Sequence, residues 1–191
     1  RRNGILHSMN TFPGAGRFVV PETVASHFHL REGDKVADFG AGSGAFVPIL
    51  SRLVGPSGRV YACEIQKNLV EAIGEATRTK HLGNTEPIWC DLEAPEGSKL
   101  TSESLDAAVL VNTLFQIEDK PAALTEVART LRRGGKFFVI DWSESFGGLG
   151  PQPDAVVAMD TARTLVESHG FTFEQWFDAG DHHYGLAFRK S

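Results

Sequence analysis

The sequence predicts a doubly wound α/β fold, a mostly parallel sheet with helices on both faces that ends in an antiparallel hairpin. Three observations carry this. From residue 35 onward, short apolar runs alternate with amphipathic stretches, the rhythm of βαβ units. A glycine-rich turn, Gly40-Ala41-Gly42-Ser43-Gly44, stands between the first of these strands and its helix. The last two strand-like runs are linked only by Ala179-Gly180-Asp181-His182. So short a link cannot make a crossover, so the final strand runs antiparallel to its neighbour.

The elements follow in order. Residues 1–20 are punctuated by Phe12-Pro13-Gly14-Ala15-Gly16 and read as an irregular arm before a core over 21–191. Pro21-Glu22-Thr23 opens a short helix with proline in its first turn, Val24 and Phe28 sharing one face. Lys35–Phe39 is a strand, and the next helix carries Phe46, Ile49, Leu50 and Leu53 on one stripe. Pro48 falls in that helix's first turn, where a missing N–H costs little. Strands follow at 59–65, 85–91 and 106–112, with a helix at 68–80 bearing Leu69, Ile73 and Ala76 on one face. Asp119-Lys120-Pro121 caps a helix with Leu124, Val127, Ala128 and Leu131, which Gly134-Gly135 should end. Residues 136–142 (KFFVIDW) are apolar without alternation, as a strand buried on both faces should be. A loop at 145–153 and a helix at 160–169 lead to strands Phe171–Asp178 and His183–Lys190.

Composition bounds the function. A chain of 191 residues with 41% hydrophobic and 23% charged residues is one domain with a core that needs no staples. The net charge of −5 argues against a general nucleic-acid binder. Cys63 and Cys90 cannot make a zinc ribbon, no stretch approaches 18 apolar residues, and no apolar signal core follows Arg1-Arg2-Asn3-Gly4. A cytoplasmic location without membrane insertion is the expectation.

The chemistry is read from the order of the acids. Gly40-x-Gly42-x-Gly44 alone is a weak signal, and with Ala45 it also fits a looser dinucleotide pattern. Asp38 lies two residues before the first glycine, Glu64 closes the second strand and Asp91 the third. In a parallel sheet these ends share the ligand edge. An acid after strand two can accept both hydroxyls of a ribose, and one after strand three an amino group such as adenine N6. The set wants a nucleoside and shows no lysine for phosphates. Asp38 is expected to organise the glycine loop through its backbone N–H groups. Glu64 is expected at an exposed strand edge.

These segments resemble the motifs of class I S-adenosylmethionine-dependent methyltransferases. Val36-Ala37-Asp38-Phe39-Gly40-Ala41-Gly42-Ser43-Gly44 is similar to motif I, Val60-Tyr61-Ala62-Cys63-Glu64-Ile65 to the ribose motif, and Cys90-Asp91-Leu92 to the adenine motif. Residues 105–112 resemble the family's fourth strand, and Leu131-Arg132-Arg133-Gly134-Gly135-Lys136 its turn into strand five. In style the chain resembles the ubiquinone/menaquinone-biosynthesis-type and related small-molecule methyltransferases. The resemblance implies a three-layer sandwich with a seven-stranded sheet of order 3-2-1-4-5-7-6. It implies S-adenosyl-L-methionine as methyl donor, S-adenosyl-L-homocysteine as product and no metal. The donor-binding residues it implies are Asp38, Gly40, Ala41, Gly42, Gly44, Glu64, Ile65, Asp91, Leu92 and Asn112.

A small or lipid-like acceptor is the leading expectation. A protein or RNA acceptor, a nicotinamide dehydrogenase and an inactive donor-binding partner subunit are the alternatives. Asn112-Thr113-Leu114-Phe115 lacks the paired prolines common in enzymes that methylate exocyclic or amide nitrogens. The additional cysteines of arsenic methyltransferases are missing too. His182, His183 and Asp141 sit near the expected cleft and are the candidate catalytic residues, the histidines as bases and Asp141 to orient the acceptor. Adjacent residues of an extended chain point apart, so the two histidines should not share a metal. Phe12, Phe18, Phe115, Trp142, Phe146 and Tyr184 are candidates to wall an apolar pocket, although packing is the simpler role for each.

Overall fold

A computed structural model describes residues 18–191. The arm expected over 1–20 therefore lies, with Phe12, almost wholly outside the described residues. The strands are β1 (Lys35–Phe39), β2 (Arg59–Glu64), β3 (Thr85–Trp89), β4 (Leu105–Val111), β5 (Leu131–Trp142), β6 (Phe171–Asp178) and β7 (His183–Lys190). They form one sheet of order β3-β2-β1-β4-β5-β7-β6. The first five are parallel, and β7 runs antiparallel to both β5 and β6. The helices are α1 (Pro21–Ala25), α2 (Val47–Val54), α3 (Lys67–Thr79), α4 (Lys120–Thr130) and α5 (Met159–Glu167).

Each sheet face carries its own core. Val36, Val60, Val109, Phe138 and Ile140 pack under Val24 of α1 and Leu50 and Val54 of α2. On the same side, Ile73 of α3 meets Ala62 and Val47. Ala37, Phe39, Leu110, Phe137, Val139 and Phe188 face Leu124 and Val127 of α4 and Val166 of α5. Successive residues of β5 thus feed opposite cores, which is why that strand reads as an unbroken apolar run. Phe137 is fully buried and its ring lies 5.2 Å from Phe171. Phe137→Ala should lower unfolding free energy by about 3–5 kcal/mol, read as a shift of the chemical-denaturation midpoint.

Pro87 is tolerated in β3 because β3 is an edge strand. Gly185 of β7 has the opposite logic: a Cβ there would lie 2.3 Å from the ring of Phe177. The missing side chain is what lets the aromatic ring cross the strand.

The expected end of α4 is corrected. The helix stops at Thr130, and Leu131 already has extended backbone (φ −74°, ψ 137°). Leu105 pairs with Leu131 but Ala107 with Lys136, so the extra residues of β5 bulge out around Gly134, whose φ is +71°. Gly134 therefore serves a strand bulge, not a helix C-terminus. Asp119 does cap α4, accepting from the Ala122 N–H at 3.0 Å.

Candidate functional site

At the carboxyl edge of the parallel strands, the ends of β1, β2, β3 and β4 surround a cavity of about 570 Å³. That volume lies within the range of about 300–1,000 Å³ typical of small-molecule sites. Asp38, Glu64, Asp91, Glu93 and Glu118 line it, with no lysine, arginine or histidine among the lining residues. Such a cavity favours a cationic ligand and opposes a pyrophosphate.

The glycine loop is held from β2. The N–H groups of Gly40 and Ala41 both donate to the Cys63 carbonyl at 2.9 Å. Gly42 N–H donates to Glu64 Oε2 and Gln66 N–H to Glu64 Oε1, each at 2.9 Å. Glu64 is buried, so one carboxylate pins both the loop and the chain leaving β2 while lining the cavity. This corrects the expectation of an exposed strand-edge acid. The expected role of Asp38 changes too: its carboxylate makes no hydrogen bond among the described residues. Burial, and secondarily the nearby Glu64 charge, push its pKa up to about 7. Loop organisation has passed from Asp38 to Glu64.

From the far side, Thr113 closes on the loop. Its Oγ1 donates to the Val111 carbonyl at 2.9 Å and lies 3.4 Å from the Gly40 carbonyl. A Cβ on Gly40 would stand 2.4 Å from that hydroxyl, and Gly40 has φ +73°. Both constraints demand glycine. Gly40→Ala should cost more than about 1 kcal/mol of stability and displace Thr113, readable as a lowered melting temperature with weakened ligand binding.

Nine of the ten donor residues implied by the sequence line this cavity. The exception is Gly44, which faces away; a Cβ there would lie 3.2 Å from Ile73 Cγ1, so this glycine lets α3 approach the loop. Asp91 lies just past β3 and accepts from the Glu93 N–H at 3.0 Å. Asn112 follows β4 with a left-handed φ of 52°, and its Oδ1 is buried with no hydrogen-bond partner among the described residues. An orphaned buried oxygen beside a cavity is a ready acceptor for a ligand N–H or O–H.

Sequence reasoning missed Gln66, Thr113 and Glu93. Glu93 accepts from the Glu118 and Asp119 N–H groups (3.3 and 2.6 Å), tying the loop after β3 to the segment before α4 across the cavity. Its only local signal is an acid placed two residues after Asp91.

Asp141, His182 and His183 do not line the cavity. Asp141 is buried, with Oδ2 accepting from Phe115 N–H (3.1 Å) and Oδ1 from Trp142 N–H (2.8 Å). Burial raises its pKa to about 6 despite these bonds. It fixes two backbone segments rather than facing the cleft. His182 has a left-handed φ of 63°, so the pair does not lie in extended chain as expected. It stacks on Phe146 at 3.9 Å and bonds Glu144 at 2.7 Å, while His183 sits 4.1 Å from Trp142. Tyr184 donates to the Val157 carbonyl at 2.9 Å and Phe115 packs on the core, so both hold the fold. Cys63 and Cys90 are free and buried, and the neighbouring Cys90 thiol together with burial pushes the Cys63 thiol well above its ordinary pKa. Among the described residues, no cluster of histidine, cysteine and acids could hold a metal, and no helix is long and apolar enough to cross a membrane.

Known proteins agree with this geometry. The ubiquinone/menaquinone biosynthesis C-methyltransferase UbiE of Pasteurella multocida is 31% identical over 60% of this chain and 42% of its own length. The enzyme of the same name from Hahella chejuensis is 31% identical over 73% of this chain and 61% of its own. The chain thus spans about half the length of these relatives. The crystal structure of a SAM dependent methyltransferase from Aquifex aeolicus superposes with a TM-score of 0.83 at 25% identity, covering 91% of both chains. The family described as "Methyltransferase domain" matches residues 37–139, from β1 to β5, the segment that builds the cavity. The chain belongs to that methyltransferase family.

Proposed function

We propose that this protein transfers a methyl group from S-adenosyl-L-methionine to a small aromatic, lipid-like acceptor, through a single domain over residues 1–191 whose core spans 21–191. The observation that carries the donor assignment is the lining: a glycine loop with five carboxylates and no basic side chain. The donor has a sulfonium, an ammonium and one carboxylate, so its net positive charge matches such a wall. A nicotinamide dinucleotide would bring a pyrophosphate to the same acids, which argues against the dehydrogenase alternative.

When bound, the donor supplies an electrophilic methyl that leaves its sulfur by in-line displacement. The chain's own contribution is alignment and exclusion of water. Glu64 would hold the ribose hydroxyls on the lone pairs its backbone partners leave free, and Asp91 would hold the adenine amino group. Ile65 and Leu92 would border the base, Asp38 would balance the cationic end, and Asn112 Oδ1 would accept from the amino-acid portion.

The relatives named for ubiquinone/menaquinone biosynthesis C-methylation support an aromatic, lipid-like acceptor. The test offers isotope-labelled donor to the protein with a prenylated quinol, a bulk RNA and a protein extract. Label should enter the quinol; label confined to RNA or protein would overturn the acceptor assignment.

A further inference from the structure

Next to the donor cavity lies a second constellation that donor binding does not use. Trp142 ends β5, His182 closes the turn before β7, His183 opens β7, and Phe146 follows in the loop after β5. Their four rings surround Phe18, at centroid distances of 5.9 Å (Trp142), 6.5 Å (Phe146), 6.2 Å (His182) and 6.4 Å (His183). The walls are fixed. Gly150 lies against the indole, where a Cβ would approach Trp142 to 2.7 Å, and the Ser143 N–H donates to the His182 carbonyl at 2.8 Å.

This box adjoins the cavity. Val19, one residue after Phe18, lines the cavity, as does Pro21. The Asn112 N–H donates to the Ile140 carbonyl at 2.8 Å. Trp142 is two residues further along β5, roughly 7 Å of strand.

One polar atom in the box is unsatisfied. His183 is buried, and its Nδ1 lies 2.8 Å from the Asp181 carbonyl, which can only accept, so the ring proton sits on Nδ1. Burial lowers the histidine's pKa and keeps it neutral. Nε2 is then a lone-pair acceptor, buried and without a partner among the described residues. Such an atom carries a desolvation cost that a donor hydrogen would remove.

We infer that Trp142, Phe146, His182 and His183 form the seat for the acceptor's ring, that this ring displaces Phe18, and that His183 Nε2 accepts a hydrogen bond from a ring hydroxyl. The ligand class is a hydroxylated planar aromatic, a phenol or quinol. Phe18 shows that a six-membered ring fits among the walls, and the unsatisfied nitrogen selects the hydroxyl. The inference rests on the methyl-transfer reading above and makes His183 a specificity-determining residue.

Calorimetry with a short-chain prenylated benzoquinol and its di-O-methyl ether tests it, each probe titrated with and without saturating S-adenosylhomocysteine. Wild type should bind the quinol about tenfold more tightly than the ether, the worth of one hydrogen bond to a buried acceptor. His183→Phe should abolish that difference, and Phe18→Ala should tighten binding of both probes several-fold. S-adenosylhomocysteine affinity serves as the fold check on both variants. Equal affinity of wild type for the two probes, a difference that survives His183→Phe, or no probe binding to Phe18→Ala would each overturn the inference. Failure of S-adenosylhomocysteine to bind wild type would count against the donor reading instead, because the quinol–ether difference is read in either state.

Discussion

Glu64→Gln should weaken S-adenosylhomocysteine binding by about 100-fold or more and destabilise the protein by about 1–3 kcal/mol. The two effects share one cause. The carboxylate accepts from Gly42 and Gln66 through different oxygens while facing the cavity. An amide keeps one acceptor but sets an NH₂ against the other N–H, leaving a buried donor unpaired. The charge that strengthens hydrogen bonds to ligand hydroxyls is lost as well. Calorimetric titration reads the binding loss and denaturant unfolding the stability loss. Unchanged affinity would remove Glu64 from the donor site, and unchanged stability would remove it from the loop.

Asp38 carries the second large effect, with opposite signs for stability and binding. Its folded pKa of about 7 stands well above the value of about 3.9 for an unfolded aspartate. The native state therefore holds more protons across that window, and stability falls as pH rises through it. Asp141, raised to about 6 by burial, adds the same sign over a narrower range. Asp38→Asn removes the buried charge, so at about pH 8 the variant should be more stable than wild type by a few kcal/mol, with a flatter dependence of melting temperature on pH. Donor binding runs the other way. A cationic ligand favours the carboxylate, so wild-type affinity should rise with pH, level off above about 7, and release a proton on binding below it. Calorimetry in buffers of different ionisation enthalpy measures that proton. A pH-independent affinity, or an Asn variant that binds as wild type does, would contradict this assignment.

Much of this architecture was legible because periodicity and local chemistry agree. The strands at Lys35–Phe39, Phe171–Asp178 and His183–Lys190 have the expected bounds, since each apolar run ends against a glycine or polar turn. The strand order came through the motif resemblance, because sequence spacing alone does not say which strands are neighbours. Gly134 misled because a positive-φ glycine serves a helix end and a strand bulge equally well, and only the pairing of Leu131 with Leu105 distinguishes them.

The cavity was legible where function sits at strand ends, hence Glu64, Asp91 and Asn112. It was not legible where function depends on contacts between distant loops. Thr113 meets Gly40 across 73 residues of sequence, and Glu93 reaches the N–H groups before α4 from 26 residues away. No local pattern encodes either contact. The Asp38 carboxylate was misassigned for a related reason. Two acids compete to hold the loop, and Glu64 wins because β1 and β2 lie side by side, with Phe39 registered on Cys63. The ring box around Phe18 draws on three separate segments, so the sequence showed its aromatic residues but not their meeting.

The acidic cavity behind the glycine loop is the proposed seat of a cationic adenosyl donor. Parallel calorimetric titrations of one protein preparation with S-adenosylmethionine, S-adenosylhomocysteine and NAD test it most directly. The two adenosyl ligands should bind stoichiometrically with no heat from NAD; binding of NAD alone would remove the adenosyl donor from this cavity.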